Sequence, residues 1–184
     1  DRDFLYPEGA APTVVAFPQS RPVLEHPCAA AGIKVVTIPD LRWKRRDIKS
    51  TSMLAQVMGK QAAKLKGAYE AWMMEDGFVT EGTSSTAFIV DSDGVVRTQP
   101  LGPHVLTGVT RRAVLRLAAD QGVRTEERPF SVKEVFAARE AFITAATAFV
   151  LPVVEIDGVP IGDGRPGPVV RAFRTLYIEE ALKS

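Results

Sequence analysis

Apolar residues recur at intervals of three and four positions in three stretches of the chain, and this spacing predicts three amphipathic helices. The first runs from Ser52 to Lys66 and ends before Gly67, a residue type that commonly stops a helix. The second extends from about Thr110 to Gln121, and the third occupies the C-terminal stretch GPVVRAFRTLYIEEALK. The apolar positions are Leu54, Val57, Met58, Ala62 and Leu65 in the first helix, Val114, Leu117 and Ala118 in the second, and Val169, Phe173, Leu176 and Tyr177 in the third. SVKE, which begins at Ser131, matches a capping box and predicts a further short helix.

Short apolar runs bounded by turn residues predict the strands. PTVVAF (12–17), GIKVVTIPD (32–40) and AFITA each predict one strand, and three hairpins are predicted to turn at Asp76-Gly77, Asp93-Gly94 and Asp157-Gly158. The longest apolar stretch, 141–156, contains Pro152 and many β-branched residues, so two buried strands explain it better than a membrane-spanning helix. Strands and helices follow one another without a regular βαβ period, which favours a mixed α/β (α+β) fold.

Composition narrows the class of protein. The chain has 184 residues, 46% of them hydrophobic, and a formal net charge of +1. These values are typical of one globular domain with a sizeable core, and they argue against a nucleic acid or a membrane surface as a partner, although basic residues cluster at 42–46. Cys28 is the only cysteine and no signal peptide is visible, which favours a cytoplasmic protein. The proline-rich segment 18–27 is typical of a linker.

Four segments could carry chemistry, and each also has an ordinary interpretation. Lys49 lies where a strand gives way to a helix, and neighbouring cations such as Arg45 and Arg46 favour a neutral, nucleophilic amine, yet most lysines are simply solvated. VTEGTSSTAF (79–88) holds a carboxylate and hydroxyls, or it is a polar turn. LTGVTR (106–111) offers free N–H groups at a helix start, or it is capped by Thr107 or Thr110. TAAT (144–147) is a loop of small residues.

Taken together in this order, RWKRRDIKS, VTEGTSS, LTGVTR and PVVEIDGVPIGDGRPGPV resemble the fold-type IV pyridoxal-phosphate enzymes. This group includes D-amino-acid transaminases, branched-chain aminotransferases and aminodeoxychorismate lyases, and the resemblance is closest to the D-amino-acid transaminase branch. It covers nearly the whole chain. It implies a fold of two α/β domains with pyridoxal 5′-phosphate between them.

The resemblance assigns roles to individual residues around the cofactor ring. Lys49 matches the lysine that forms the internal aldimine and later moves a proton between substrate and cofactor. Glu81 matches the carboxylate on the pyridine nitrogen, which makes the cofactor an electron sink. Leu106 matches a residue packed on the ring face, and Ser84 a hydroxyl near the ring.

The cofactor phosphate is assigned to two further segments. Gly108, Val109 and Thr110 match a helix start whose N–H groups, together with the Thr110 hydroxyl, hold the phosphate. Ala145 and Ala146 stand where the branch usually has a serine and a threonine, so two hydroxyl contacts are lost and we expect cofactor affinity to fall without vanishing. The sequence suggests no metal site.

The resemblance also implies a domain plan. Residues 1–20 correspond to the end of a small N-terminal domain, 21–27 to the linker and 28–184 to the large cofactor-binding domain. The small domain normally supplies an arginine to the phosphate and an aromatic residue to the active site, and neither lies in these 184 residues. Arg2 matches an arginine that clamps the substrate carboxylate, whereas Phe4 replaces its histidine partner and hints at a bulkier or less polar substrate.

The implied activity is transfer of an amino group from a D-amino acid, or a related (R)-amine, to a 2-oxo acid by a homodimer. Three alternatives stay open at this point. They are a lyase of the aminodeoxychorismate type, a branched-chain L-amino-acid transaminase and a catalytically silent homologue.

Overall fold

The computed structural model describes residues 4–5, 8–20 and 22–183. Within these ranges the chain forms nine strands and four α-helices. The strands are β1 (Ile33–Pro39), β2 (Glu70–Glu75), β3 (Phe78–Gly82), β4 (Thr86–Val90), β5 (Val96–Thr98), β6 (Thr125–Glu127), β7 (Glu140–Ala145), β8 (Phe149–Ile156) and β9 (Val159–Pro160). The helices are α1 (Leu54–Leu65), α2 (Val109–Asp120), α3 (Val132–Ala137) and α4 (Pro168–Ala181).

All nine described strands belong to one mixed sheet with the order β3-β2-β1-β8-β7-β4-β5-β6, and β9 pairs with β8. β1 lies parallel to both β2 and β8, while the β2–β3, β4–β5 and β7–β8 pairs are antiparallel. The mixed α/β class predicted from the irregular order of elements is therefore confirmed.

Apolar side chains bury both faces of the sheet. On one face α2 and α4 cover a stack of aromatic rings, in which Phe88 and Phe142 lie 4.6 Å apart and Phe173 of α4 lies 6.0 Å from Phe142. On the other face Trp72, together with Phe130 before α3, belongs to a second cluster. These two apolar clusters fix the strands of the sheet, and the candidate functional site described below lies at the ends of several of these strands.

The predicted helices and hairpins are confirmed. The Asp76-Gly77 and Asp157-Gly158 turns have positive φ at both residues, the backbone of a type I′ turn. The capping box at α3 is complete, because the Ser131 side chain accepts from the Glu134 N–H and the Glu134 side chain accepts from the Ser131 N–H. The two strands expected within 141–156 are β7 and β8.

The strand predicted at 12–17 is wrong. The described backbone there is irregular, and Val14, Val15 and Phe17 are 83%, 77% and 73% exposed. A strand requires a neighbour for its hydrogen bonds, and this segment pairs with none of the strands that the structure describes. The β-propensity of these residues alone therefore predicted a strand that does not form in this segment.

α1 buries a different face from the one that its large apolar residues suggest. Its buried residues are the small Gly59 and Ala63, whereas Leu54 and Leu65 are 73% and 78% exposed. A side chain at Gly59 would meet Ile38 and Thr83, so the absence of a Cβ lets the helix lie close to the sheet.

The segment before β1 packs against the domain through Arg174 of α4, which donates to the carbonyl oxygens of Val23 and Leu24. The division of the chain at 21–27 stays a prediction. None of the helices in the described part of the chain is long and apolar enough to cross a membrane.

Candidate functional site

A cavity of about 970 Å³ opens where four segments meet: the loop between β1 and α1, the β3–β4 connection, the start of α2 and the turn after β7. The predicted site residues that line it are Lys49, Glu81, Ser84, Leu106, Gly108, Val109, Thr110, Ala145 and Ala146. The structure thus brings together residues that are far apart in the sequence, from Lys49 to Ala146. Arg2, the predicted substrate clamp, lies outside the described residues.

Lys49 lies in the loop between β1 and α1, as the sequence predicted. Its side chain is exposed to the cavity and makes no hydrogen bond or ion pair with any residue that the structure describes. The neighbouring cations are paired elsewhere: Arg45 with Asp47, and Arg46 with Glu75. The Lys49 amine is therefore a free basic group among the described residues that line the cavity.

Glu81, in β3, is only 5% exposed. It forms an ion pair with Arg42, and the Leu106 N–H donates to both of its oxygens at 3.3 Å. Burial raises the pKa of Glu81 above its usual value, and the Arg42 guanidinium and the Leu106 N–H oppose that rise. The cavity thus contains a buried carboxylate whose charge depends on its neighbours.

Sequence reasoning missed Arg42 and its partner Asp40. Both side chains are buried, and Arg42 bridges Asp40 to Glu81. The basic cluster at 42–46 was visible in the sequence, but only the fold shows that the side chains of Arg42 and Arg46 are buried against carboxylates.

α2 begins at the cavity without a capping side chain. Gly108 is the N-cap residue and no side chain caps the helix, so neither Thr107 nor Thr110 takes the role that the ordinary interpretation gave them. A Cβ at Gly108 would lie 3.0 Å from Thr86 Oγ1, so a side chain at this position would crowd Thr86. The Thr110 hydroxyl lies 3.4 Å from the Tyr177 hydroxyl of α4. Free N–H groups at a helix start favour an anion.

The small-residue loop is a tight turn between β7 and β8. Ala145 pairs with Phe149, whose φ of 60° is unusual for a residue with a side chain. The neighbouring Thr144 is 2% exposed, and its buried hydroxyl finds no hydrogen-bond partner among the described residues. Buried hydroxyls are normally paired, so this one is a candidate donor to a ligand in the cavity.

The hydroxyls that follow Glu81 bind a second buried carboxylate, Glu70, which the sequence analysis did not single out. Ser84 and Ser85 donate to Glu70 at 3.0 and 3.2 Å, and Thr83 donates to it as well. Ser84 therefore lines the cavity as predicted, but its hydroxyl is engaged with Glu70. A carboxylate directly before the apolar run of β2 was the signal that could have identified this cluster.

A sequence profile of the family described as "Amino-transferase class IV" matches residues 1–156. The chain belongs to this family. Class IV relatives of the chain include D-alanine aminotransferases. That of Bacillus licheniformis is 41% identical over 176 residues, which cover 95% of this chain and 61% of the relative. That of Staphylococcus aureus (strain N315) is 37% identical over 178 residues, with the same coverage.

Solved structures of branched-chain aminotransferases share the fold. The branched-chain amino acid aminotransferase of Escherichia coli aligns with a TM-score of 0.79 and 27% identity, covering 89% of this chain and 55% of that one. The branched-chain enzyme of Thermobaculum terrenum, solved in its PLP form, aligns with a TM-score of 0.75 and 27% identity, covering 85% and 52%. The chain spans 61% of the length of the two D-alanine aminotransferases.

Proposed function

We propose that this protein is a pyridoxal-phosphate-dependent aminotransferase that moves an amino group from a D-amino acid, or a related (R)-amine, to a 2-oxo acid. The observation that carries the proposal is the convergence of a free lysine, a buried carboxylate and an uncapped helix start on one cavity. The names of the D-alanine aminotransferase relatives and the PLP form of a structural neighbour support it.

The cavity residues fit the chemical groups of this cofactor. A phosphate requires N–H and hydroxyl donors, and the start of α2 and the unpartnered Thr144 hydroxyl provide them. A carboxylate favours a proton on a pyridine nitrogen, and Glu81 lies in the same cavity. An aldehyde requires a primary amine, and the Lys49 amine has no competing partner among the described residues.

When bound, the cofactor supplies an electron sink for the substrate Cα–H bond. Lys49 would hold the cofactor through its Nζ atom and, once released, would take the proton from the substrate carbon and return it. Glu81 would favour a proton on the ring nitrogen. Leu106, which lines the cavity, would pack on one ring face, and the N–H groups of Val109 and Thr110 would hold the phosphate. Val109, although 62% exposed, is the first residue of α2, so its N–H has no acceptor within the helix.

The stereochemical preference for the D-amino acid rests on the sequence relatives at 41% and 37% identity, rather than on the branched-chain structures at 27%. These relatives do not favour the lyase or the branched-chain L-transaminase. The free Lys49 and the buried Glu81 argue against a silent homologue. Ala145 and Ala146 offer backbone groups alone to the phosphate.

The proposal includes a cytoplasmic homodimer. The exposed apolar residues of α1, among them Leu54, Val57 and Leu65, support a second copy as the partner, because burial of such side chains stabilises association. The lone cysteine is compatible with a reducing compartment.

The test is a half-reaction on the purified protein loaded with pyridoxal 5′-phosphate. We expect D-alanine to convert the bound cofactor to pyridoxamine 5′-phosphate and release pyruvate, with L-alanine much slower. The Lys49→Ala variant is the matched control and should release none. Preference for L-leucine would favour the branched-chain alternative, and no conversion of either enantiomer would contradict the proposal.

A further inference from the structure

A buried guanidinium lies between two buried carboxylates beside the cavity. The side chains of Arg42, Asp40 and Glu81 are 7%, 0% and 6% exposed. Arg42 donates to Asp40 through Nε at 2.9 Å and through Nη2 at 2.7 Å, and its Nη1 donates to Glu81 Oε1. The fork formed by Nε and Nη2 is therefore used on Asp40, and Nη1 is left to donate to Glu81.

Asp40 is itself fixed from several sides. The Thr80 hydroxyl donates to Asp40 Oδ2 at 2.6 Å, and the Arg42 backbone N–H donates to Oδ1 at 3.1 Å. Burial opposes ionisation of Asp40, but the hydrogen bonds from Arg42 and Thr80 bring its pKa below the usual value. Arg46 lies 3.4 Å from Asp40 and is neutralised by Glu75. Asp40 is thus an immobile anion that fixes the direction of Arg42.

This arrangement leaves part of Glu81 available. Arg42 takes Oε1, and the Leu106 N–H is shared between both oxygens, so Oε2 keeps room for another donor. A buried carboxylate without a cation would become neutral instead of staying charged. Arg42 opposes this for Glu81, and its two hydrogen bonds to Asp40 keep Nη1 directed at Glu81.

We propose that Asp40 and Arg42 form a positioning pair that keeps Glu81 ionised and oriented, so that the proton shared between Glu81 and the cofactor stays on the ring nitrogen. This inference rests on the proposed function, because it assigns a role towards the same cofactor. The pair acts through Glu81, the carboxylate that Arg42 contacts. Without Arg42, the carboxylate becomes the stronger base and takes the shared proton from the ring.

The test uses holoprotein reconstituted with pyridoxal 5′-phosphate that carries ¹⁵N in the ring. The wild-type protein should give the ¹⁵N shift of a protonated ring nitrogen near neutral pH. Arg42→Met should move the signal towards the unprotonated position and raise the cofactor dissociation constant by roughly tenfold or more. Arg42→Lys, which keeps a cation, should retain the protonated signal and bind within about threefold of wild type. Asp40→Asn should fall between these two variants.

A matched control distinguishes a positioning role of Arg42 from a general effect of losing a paired arginine. Arg97→Met removes a partly buried arginine paired with Asp91 and Glu126, outside the residues that line the cavity. It should lower the melting temperature without moving the ¹⁵N signal. If Arg42→Met does not fold, Asp40→Asn still decides the matter, with Arg42→Lys as its unshifted reference. An unchanged signal in Arg42→Met, or in Asp40→Asn where Arg42→Met is insoluble, overturns the inference and leaves the proposed function intact. Wild-type protein that binds no cofactor contradicts the proposed function itself.

Discussion

Glu81 and Lys49 are held in opposite ways. Glu81 is buried and bound by Arg42 and the Leu106 N–H, whereas Lys49 is exposed to the cavity without a partner among the described residues. A group that tunes the cofactor electronically benefits from a fixed position, while a group that carries a proton between two atoms must move. The contrast fits the two roles proposed for these residues.

Replacement of Glu81 by glutamine should slow removal of the substrate proton while the cofactor still binds. The amide cannot pair ionically with a protonated ring, and a hydrogen bond to a charged group contributes about 1.5–3 kcal/mol, so we expect a rate loss of roughly ten- to a hundredfold. Stopped-flow spectroscopy of the D-alanine half-reaction measures it. Glu126→Gln, at an ion pair outside the cavity, is the control. An unchanged rate in Glu81→Gln would place this residue away from the ring.

Ala145 and Ala146, at the end of β7, should limit the affinity for the cofactor. Ala146→Thr should tighten cofactor binding by about 0.5–1.5 kcal/mol if the new hydroxyl reaches the phosphate. Thr110→Ala should weaken binding by at least as much, because few hydroxyl donors remain to compensate. The measurement compares dissociation constants for pyridoxal 5′-phosphate and for pyridoxal, which lacks the phosphate. A change in contacts to the phosphate should alter only the first constant. Looser binding in Ala146→Thr would show that this turn does not face the phosphate.

At the scale of elements, α3 depends on its capping box. Ser131→Ala removes the acceptor for the Glu134 N–H and should cost about 0.5–2 kcal/mol in the free energy of unfolding, measured with urea.

Glu134 also makes stability depend on pH. The hydrogen bond from Arg128 is the largest cause that lowers the pKa of Glu134 to about 2. Since this folded pKa lies below the ordinary value of 4.5, the contribution of ionised Glu134 to the free energy of unfolding is complete above pH 4.5 and is lost as the pH falls towards 2. Glu134→Gln should flatten the pH dependence of stability in that window. An equal slope in both proteins would contradict this assignment.

Local sequence rules predicted the elements that local chemistry determines. Asp-Gly pairs located the turns, and Ser131 with Glu134 located α3. The strand at 12–17 failed because a strand depends on a partner elsewhere in the chain, which its own residues do not encode. Lys49 and Glu81 were named from their motifs, but Arg42, Asp40 and Glu70 were not, since burial of a charged side chain is a property of the folded sheet.

At the scale of the whole molecule, Arg174 joins three parts of the chain. It donates to the carbonyl oxygens of Ala148 and Val150 beside the cavity turn, and to those of Val23 and Leu24 in the segment before β1. Arg174→Met should therefore increase hydrogen exchange at residues 22–25 and loosen the turn next to Ala146. Arg171→Met, on the exposed side of the same helix, is the matched control and should leave exchange unchanged. Equal exchange in both variants would mean that other contacts hold this segment.

The place where the cofactor attaches is the most direct test of the site proposed at Lys49. Borohydride treatment of the protein loaded with pyridoxal 5′-phosphate, followed by peptide mapping, locates that attachment. The stable pyridoxyl label should lie on Lys49, and Lys49→Ala should abolish both the label and turnover. Lys44, which pairs with Glu75, and Lys60, which lies over the Tyr69 ring, are the lysines nearest in sequence. A label on either of them, with Lys49 unmodified, would contradict the proposed site.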